Sequence, residues 1–282
     1  MLGWVLLAGL LQACSAVKVF YNQSPDFAYW YLDGHFDFNG AQSLQVKDEL
    51  ARLLAWHRQT QLPLYADTLQ KLQQQLPADI DAATACAVFG DARQKLLTVS
   101  GRAEPAVVAV VQTLNASQLV QLEKRFEKSN ASYREDFLEG STAARQDKRI
   151  KEGISRAEML YGTLEHRQRK VIRQRVQESR FDAALSYAEK LRRQRDALET
   201  LKPLTGGKTP AGAAQTAIHG LFERTIRSPN PVYRDYLEAL TQDGCQTVAA
   251  LHNSTTAAQR QKAVDTLKGY ELDFRALAAQ QP

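Results

Sequence analysis

The sequence predicts an all-α protein, a multi-helix bundle of roughly ten helices. Glycine and proline are sparse, at 15 and 9 of 282 residues, while residues that favour helices, such as alanine, leucine, glutamine and arginine, are plentiful. No segment alternates apolar and polar residues with the period of two that is typical of a strand. Apolar residues instead recur at helical spacing behind good helix-start signals.

The N-terminal residues 1–13 carry no charge and form a short apolar run. A helix that crosses a bilayer core needs about 20 residues, so this run fits the apolar region of a signal peptide. The run ends in Leu11-Gln12-Ala13-Cys14, which resembles a bacterial lipobox, the cleavage and lipidation signal of envelope lipoproteins. The resemblance implies cleavage after Ala13 and attachment of acyl chains such as palmitate to Cys14.

The alternative is a buried N-terminal helix of a cytosolic protein with Cys14 in its core, and the lack of Lys or Arg before Lys18 is unusual for a signal peptide. The lipobox predicts three parts: a lipoprotein signal peptide at 1–13, a lipidated tether at 14–24, and an all-α periplasmic domain at 25–282. Two or more acyl chains hold a protein firmly on a membrane. Because no aspartate follows the cysteine, we expect a lipid-anchored protein of the outer membrane that faces the periplasm.

Two cysteines, Cys86 and Cys245, remain once Cys14 is assigned to the lipid. In an oxidising compartment they are predicted to form a disulfide, and the alternative is two buried free thiols. The bridge would join the first third of the domain to the last. Closing so long a loop contributes about 4–5 kcal/mol on the chain-entropy model.

The net charge of +5 conceals a basic segment, because residues 145–195 hold 15 Lys or Arg against 7 Asp or Glu. Guanidinium groups suit phosphate and carboxylate, and the envelope location excludes nucleic acid as a partner. Envelope proteins or anionic lipid are therefore the expected partners, and the alternative is a solvated face balanced by neighbouring acids. The predicted anion-binding residues are Arg167, Arg169, Lys170, Arg173 and Arg175.

The helices are predicted in order from their start and stop signals. Ser24-Pro25 begins a helix over 26–32, which Asp33-Gly34 ends. We expect its aromatic residues in the core, and the alternative is the bilayer surface, where amphipathic rings are favoured. These residues are Phe27, Tyr29, Trp30 and Tyr31.

Asn39 and Gln42 form a capping-box pattern at the next helix start, and Pro63 then bends or breaks the chain. Ser100-Gly101 is predicted to end the helix that begins at Ala82, and Pro105 to start another. The other predicted helices cover 65–76, 115–139, 142–161, 164 onward, 181–201, 211–226, 231–243, 245–252 and 256 onward, with a loop at 205–210.

A repeated helix start occurs as Asn39-x-x-Gln42, Asn115-x-x-Gln118 and Thr256-x-x-Gln259, with Leu164-x-x-x-Gln168 as a looser fourth copy. Each copy is a good N-cap, and helical proteins need many of these. The pattern also resembles the Leu-Thr-x-x-Gln motif of Spy/CpxP-type periplasmic helical chaperones. That resemblance implies binding of unfolded or stressed envelope proteins.

A broader set of short motifs resembles a family of Gram-negative envelope lipoproteins of unknown function. The resemblance implies the envelope location and a helical fold, and it assigns no catalytic residue. Its motifs, in order after the lipobox, are Phe20-Tyr21-Asn22, Trp30-Tyr31-Leu32-Asp33, Trp56-His57-Arg58, Leu62-Pro63, Tyr161-Gly162-x-Leu164, Arg192-Arg193-Gln194, Tyr233-Arg234-x-Tyr236, Cys245 and Leu251-His252-Asn253-Ser254.

Few residues suggest chemistry. His57 could donate a proton or sense pH, or it could close a helix end. Asp33-x-His35-x-Asp37 has the residue types of a metal site but equally those of a helix-joining turn. The segment 206–209 mimics the end of a phosphate loop but lacks its upstream glycine and strand.

The sequence therefore predicts a non-enzymatic, membrane-anchored lipoprotein that binds envelope proteins or anionic lipid, with chaperone-like binding of envelope proteins as one form of this function. A structural or assembly adaptor of the envelope is the first alternative. A metal-dependent or histidine-based hydrolase is the second. No cofactor, metal site or catalytic residue is predicted.

Overall fold

The computed structural model describes residues 16–280. Over this range the chain forms twelve α-helices and no strand, which confirms the all-α prediction. The predictions for residues 1–13 and Cys14 lie outside the described residues. The helices are α1 (Ala16–Asn22), α2 (Ser24–Phe36), α3 (Gly40–Thr60), α4 (Leu62–Gln75), α5 (Ala82–Val111), α6 (Ala116–Phe137), α7 (Thr142–Tyr161), α8 (His166–Glu178), α9 (Ala183–Leu201), α10 (Ala211–Ile226), α11 (Pro231–Asn253) and α12 (Ala257–Ala278).

Two predicted helix breaks are wrong. Helix α5 continues through Ser100-Gly101 and past Pro105, although this proline cannot donate a hydrogen bond to the carbonyl four residues earlier. Helix α11 likewise continues across 244. In both cases packing overrides local propensity, because α5 lies against α3, α10 and α11 along its length. None of the described helices is long and apolar enough to span a bilayer.

The disulfide between Cys86 and Cys245 is present, with its Cα atoms 5.2 Å apart, as predicted. It links α5 to α11 and closes a separation of 159 residues. Cys245 is fully buried in the contact between these helices. The bridge therefore joins parts of the chain that belong to different helical hairpins.

The repeated helix starts meet in pairs. The side-chain amides of Gln42 and Gln118 bond reciprocally, with N···O distances of 3.2 and 2.7 Å. Each glutamine also accepts the backbone N–H of its own N-cap residue, Asn39 or Asn115, at 3.0 Å. Both glutamines are buried. We call this pair, with its two N-caps, the first joint.

The second joint has the same construction. Gln168 and Gln259 bond reciprocally at 2.6 and 2.9 Å, and each accepts the N–H of its own N-cap residue, Glu165 or Thr256. In both joints each glutamine also donates to the carbonyl two residues before its partner's N-cap. These carbonyls belong to Thr113, Asp37, Ser254 and Thr163.

The joints divide the bundle into two halves with the same plan. In the first half the hairpins α2–α3 and α5–α6 meet at the first joint, with α2 against α6 and α3 against α5. In the second half α7–α8 and α11–α12 meet at the second joint, with α7 against α12 and α8 against α11. The residue seven positions after each N-cap is buried in all four cases: Val46, Leu122, Ile172 and Ala263.

Candidate functional site

An apolar cavity of about 380 Å³ lies in the first half, between α2, α3, α5 and α10. Its volume falls within the ~300–1,000 Å³ range of ligand sites. Pro105 and the small Ala103 and Ala106 leave room along α5. The larger apolar side chains of its wall include Phe36, Phe38, Leu50, Leu53, Val107, Val110, Val111 and Ile218.

The rim of this cavity carries charge. Arg52, Arg102 and Pro105 line it and are exposed, so the cavity opens to solvent beside them. Arg52 is paired with Glu49, which also lines the cavity, at 2.7 Å. The Arg102 guanidinium lies 5.8 Å from the centre of the Trp56 ring, and no carboxylate of the described chain lies within ion-pair distance of it. The rim thus has a net positive charge.

A smaller cavity of about 230 Å³ adjoins the first, since Leu50 and Leu53 line both. Its other walls come from the N-terminal helices, through Tyr21, Pro25 and Ala28, together with His57 and Val99. The two cavities therefore share a wall on α3, formed by Leu50 and Leu53.

The aromatic residues of α1 and α2 form an exposed surface, contrary to the expectation that they are core. Phe20, Phe27, Trp30 and Tyr31 are 65, 48, 75 and 61% exposed. Phe20 stacks on Phe27 with ring centres 5.5 Å apart, and Trp30 and Tyr31 follow on the same helix face. We call these four residues the aromatic surface.

Helix α2 separates the aromatic surface from the cavity. Leu32 and Phe36 line the cavity, and Tyr29 turns inward to donate a hydrogen bond to Ser43 of α3 at 2.9 Å. Trp30 and Tyr31 point away from the bundle. The apolar and aromatic residues of this helix lie on more than one face, which is why its sequence alone suggested a core helix.

Helix α1 is fixed to the bundle although it falls in the predicted tether. The Tyr21 hydroxyl and His57 Nδ1 are 2.9 Å apart, and Arg58 donates to Asn22 at 2.7 Å. Burial lowers the pKa of His57 and raises the pKa of Tyr21 to about 12. His57 thus holds α1 against α3 through Tyr21, and its lowered pKa argues against a cationic role at the end of α3.

The predicted anion-binding residues lie on α8 and are mostly paired with acids. Arg167, Arg169, Arg173 and Arg175 lie 3.1, 2.9, 3.7 and 4.0 Å from carboxylate oxygens. Those acids are Glu165, Glu158, Asp147 and Glu178. Exposed pairs of this kind are weak, about 0–1 kcal/mol, so an anion can compete for the guanidinium groups. Anion binding at these residues and Lys170 stays a prediction.

The histidine and acid motif at residues 33–37 forms a turn. Asp33 accepts the N–H of Phe38 at 3.1 Å, and Asp37 has a φ of 52° that ends α2. His35 Nδ1 lies 2.8 Å from the Tyr31 carbonyl oxygen. No group of three or more potential metal ligands occurs within residues 16–280. The segment 206–209 also acts as a turn, with the Gly206 N–H bonded to the Leu114 carbonyl at 2.9 Å.

Sequence reasoning missed the cavity and a buried charge cluster. Glu189 is 4% exposed and accepts hydrogen bonds from Arg192, Arg193 and Ser228 at 2.9–3.0 Å. Burial opposes ionisation of Glu189, but these bonds lower its pKa below the ordinary value. The Arg192-Arg193 motif was a visible signal of a buried acid, whereas apolar lining residues look the same in a filled core and in a cavity.

The fold and the site define a disulfide-bridged, all-α protein with an apolar cavity beside an exposed aromatic surface. The chain belongs to a family of unknown function (DUF6279), whose model matches residues 34–212. The match covers the first joint and all the residues of α3 and α5 that line the cavity. No curated protein and no solved structure matches the chain. Membership of an uncharacterised family is thus confirmed.

Proposed function

We propose that this chain is a non-enzymatic lipoprotein of the bacterial envelope, anchored by lipid on Cys14. Its helices α1 and α2 lie against the bilayer, and the domain binds anionic lipid or envelope proteins at the periplasmic face of the outer membrane.

The observation that carries this proposal is the aromatic surface. Scattered exposed apolar residues are normal, but contiguous exposed patches mark interaction or membrane sites. Amphipathic aromatic rings are favoured at the bilayer–water interface. Phe20, Trp30 and Tyr31 are each more than half exposed, and α1 begins at Ala16, two residues after Cys14.

The position of the anchor supports the same orientation. Acyl chains on Cys14 would hold the start of α1 at the membrane, and α1 is fixed to α12 by an ion pair of 3.7 Å between Lys18 and Asp273. The contacts of Tyr21 and Asn22 with α3 add to this. Helix α1 would thus be held by the lipid at its start and by the bundle along its length. The domain would then have little freedom to turn the aromatic surface away from the bilayer.

Tryptophan quenching by brominated lipids tests the orientation. Two variants of the full chain are compared, each with Trp4→Phe. One keeps Trp30 and carries Trp56→Phe, and the other keeps Trp56 and carries Trp30→Phe. In vesicles that contain brominated phospholipid, we expect strong quenching of Trp30 and little quenching of Trp56, whose ring on α3 lies beside Arg102 of α5. Equal or absent quenching of the two residues would contradict the proposal.

The anchor itself is tested by Cys14→Ser. We expect this variant to appear mainly in the soluble fraction after cell breakage, with the wild-type chain as the control that stays in the membrane. Retention of the Cys14→Ser protein in the membrane would show that the lipobox assignment is wrong.

The chaperone-like function and the adaptor function remain alternatives within the same envelope setting. The repeated glutamines that suggested a chaperone bond to one another in the two joints, where Gln42, Gln118 and Gln168 are buried, so they have a structural role that needs no client. Suppression of client aggregation by the purified protein would favour the chaperone. Crosslinking to one stoichiometric envelope protein in intact cells would favour the adaptor.

A further inference from the structure

The cavity of the first half has the properties of a site for one acyl chain. Protein interiors are close-packed, and voids much larger than a water molecule are few. A cavity of about 380 Å³ with an almost wholly apolar wall is therefore an exception that calls for a ligand of matching chemistry. Cavities lined by such side chains bind apolar molecules rather than water.

The rim indicates the charge of that ligand. Arg52 is neutralised by Glu49, whereas Arg102 faces the Trp56 ring and has no ion-pair partner in residues 16–280. The two acids nearest to Arg102 have other partners. Glu49 at the rim pairs with Arg52, and Glu104 lies 3.2 Å from His219 Nδ1. An anionic head group would complement Arg102, and guanidinium groups bind carboxylates in a planar, two-bond geometry.

The smaller cavity indicates the side from which a ligand could enter. The smaller cavity, walled by Tyr21, Pro25 and Ala28 of the N-terminal helices, adjoins the main cavity at Leu50 and Leu53. These N-terminal helices also carry the aromatic surface. An acyl chain that leaves the bilayer beside α1 and α2 would first meet the mainly apolar wall of the smaller cavity and then Leu50 and Leu53, which border the main cavity.

We propose that the cavity binds a long-chain fatty acid, with its acyl chain between α3 and α5 and its carboxylate at Arg102. The main cavity lies at the lower end of the usual ligand range, which suits one chain better than the two chains of a phospholipid. This inference rests on the proposed function only for the source of the fatty acid, which is the adjacent bilayer.

Photolabelling tests the proposal with the full lipidated chain in lipid nanodiscs. The probe is palmitate that carries a diazirine in the middle of its chain, and labelled peptides are identified by mass spectrometry. We expect label on 46–53 and 102–111. Ala106→Trp, which fills the cavity, should reduce that label at least fivefold. Ala92→Trp, at an exposed position of the same helix, should leave it unchanged.

The head group is tested with Arg102→Gln and with the corresponding diazirine-bearing fatty alcohol. We expect Arg102→Gln to weaken palmitate labelling several-fold and to leave labelling by the uncharged alcohol unchanged. Competition by a lysophospholipid of equal chain length that is stronger than competition by unlabelled palmitate would overturn the assignment to a carboxylate.

The same experiment separates failure of the two proposals. Label confined to 20–31, or label at 102–111 that Ala106→Trp does not reduce, would overturn the fatty-acid site while leaving the membrane orientation intact. Label in the cavity without any on 20–31 would support the site and count against the orientation. Absence of label from both regions would overturn both proposals.

Discussion

The two halves of the bundle have joints of the same construction but differ in the side chains that lie behind them. Four residues before each N-cap, the second half places Tyr161 and His252, which are 6 and 0% exposed. The Tyr161 hydroxyl and His252 Nδ1 are 2.9 Å apart, and His252 Nε2 lies 2.8 Å from the Ala78 carbonyl oxygen. These side chains and their bonds fill the space behind the second joint.

The equivalent positions in the first half are His35 and Val111. His35 turns back to its own helix at the Tyr31 carbonyl, and Val111 lines the cavity. The same joint thus stands beside a filled core in one half and beside a cavity in the other. The cavity therefore results from the particular side chains of α2, α3 and α5. It does not follow from the construction of the joint.

The largest expected effect comes from the bridge between the halves. Replacing both Cys86 and Cys245 by alanine should lower the free energy of unfolding by about 4–5 kcal/mol on the chain-entropy model. Because the bridge joins α5 to α11, its loss should also separate the urea unfolding of the two halves into two steps. The control is the wild type under reducing conditions, which should unfold like the double alanine variant. A loss below about 1 kcal/mol would contradict this account.

A substitution at the position four residues before the N-cap should affect the two halves unequally. His252→Ala leaves the Tyr161 hydroxyl and the Ala78 carbonyl without partners, and we expect a loss of about 3 kcal/mol. Val111→Ala removes two methyl groups that already face a cavity, so we expect less than about 2 kcal/mol. Urea denaturation measures both values. Equal losses would mean that the two interiors are packed alike.

The joints themselves should contribute equally. Gln42→Ala and Gln168→Ala each remove a buried amide and leave its partner glutamine and an N-cap N–H without a bond, at a cost of about 2 kcal/mol. Gln59→Ala, at an exposed position of α3, is the control and should change little. A large loss for one joint and none for the other would contradict the common construction of the halves.

A low-pH effect of smaller size should be traceable to His252. Burial lowers the pKa of His252, and Arg260 lowers it further, while the Ala78 carbonyl and Asp79 act in the opposite direction. The unfolded chain therefore binds a proton more readily near the ordinary pKa of 6.5. Stability is full above that pH and falls as the pH is lowered toward 5.

The difference between urea midpoints at pH 7 and pH 5 measures this effect. His57 contributes in the same direction, because its pKa is also lowered by burial. We expect His252→Asn to reduce the loss of stability and a further His57→Asn to reduce it again. An unchanged pH dependence in His252→Asn would show that this imidazole can take up a proton without cost to the fold.

The sequence predicted much of the fold because helix starts are local. Asn39, Asn115 and Thr256 each cap a helix as expected. The disulfide was predictable because Cys86 and Cys245 were the two cysteines left after Cys14 was assigned to the lipid. The breaks at Gly101 and Gly244 were wrong because long-range packing holds α5 and α11 together. The pairing of the glutamines could not be read from the chain, since it depends on contacts between residues 76 or more positions apart.

The candidate site was less predictable for the same reason. Leu50 or Val107 in a helix stripe indicates burial but does not distinguish a filled core from a cavity. The exposure of Trp30 and Tyr31 depends on how α2 is rotated against α3 and α6, and an apolar helix carries no sign of that rotation. The basic residues of α8 are visible in the sequence, but their pairing is not. The acids that pair with Arg169 and Arg173 lie on the neighbouring helix α7.

Hydrogen–deuterium exchange with and without palmitate tests the central claim most directly, namely that only the first half holds an acyl chain. Peptides from 46–53 and 102–111 should exchange more slowly when palmitate is added, while peptides from 161–172 and 249–263 should not change. Equal protection of both halves, or protection of neither, would contradict the account.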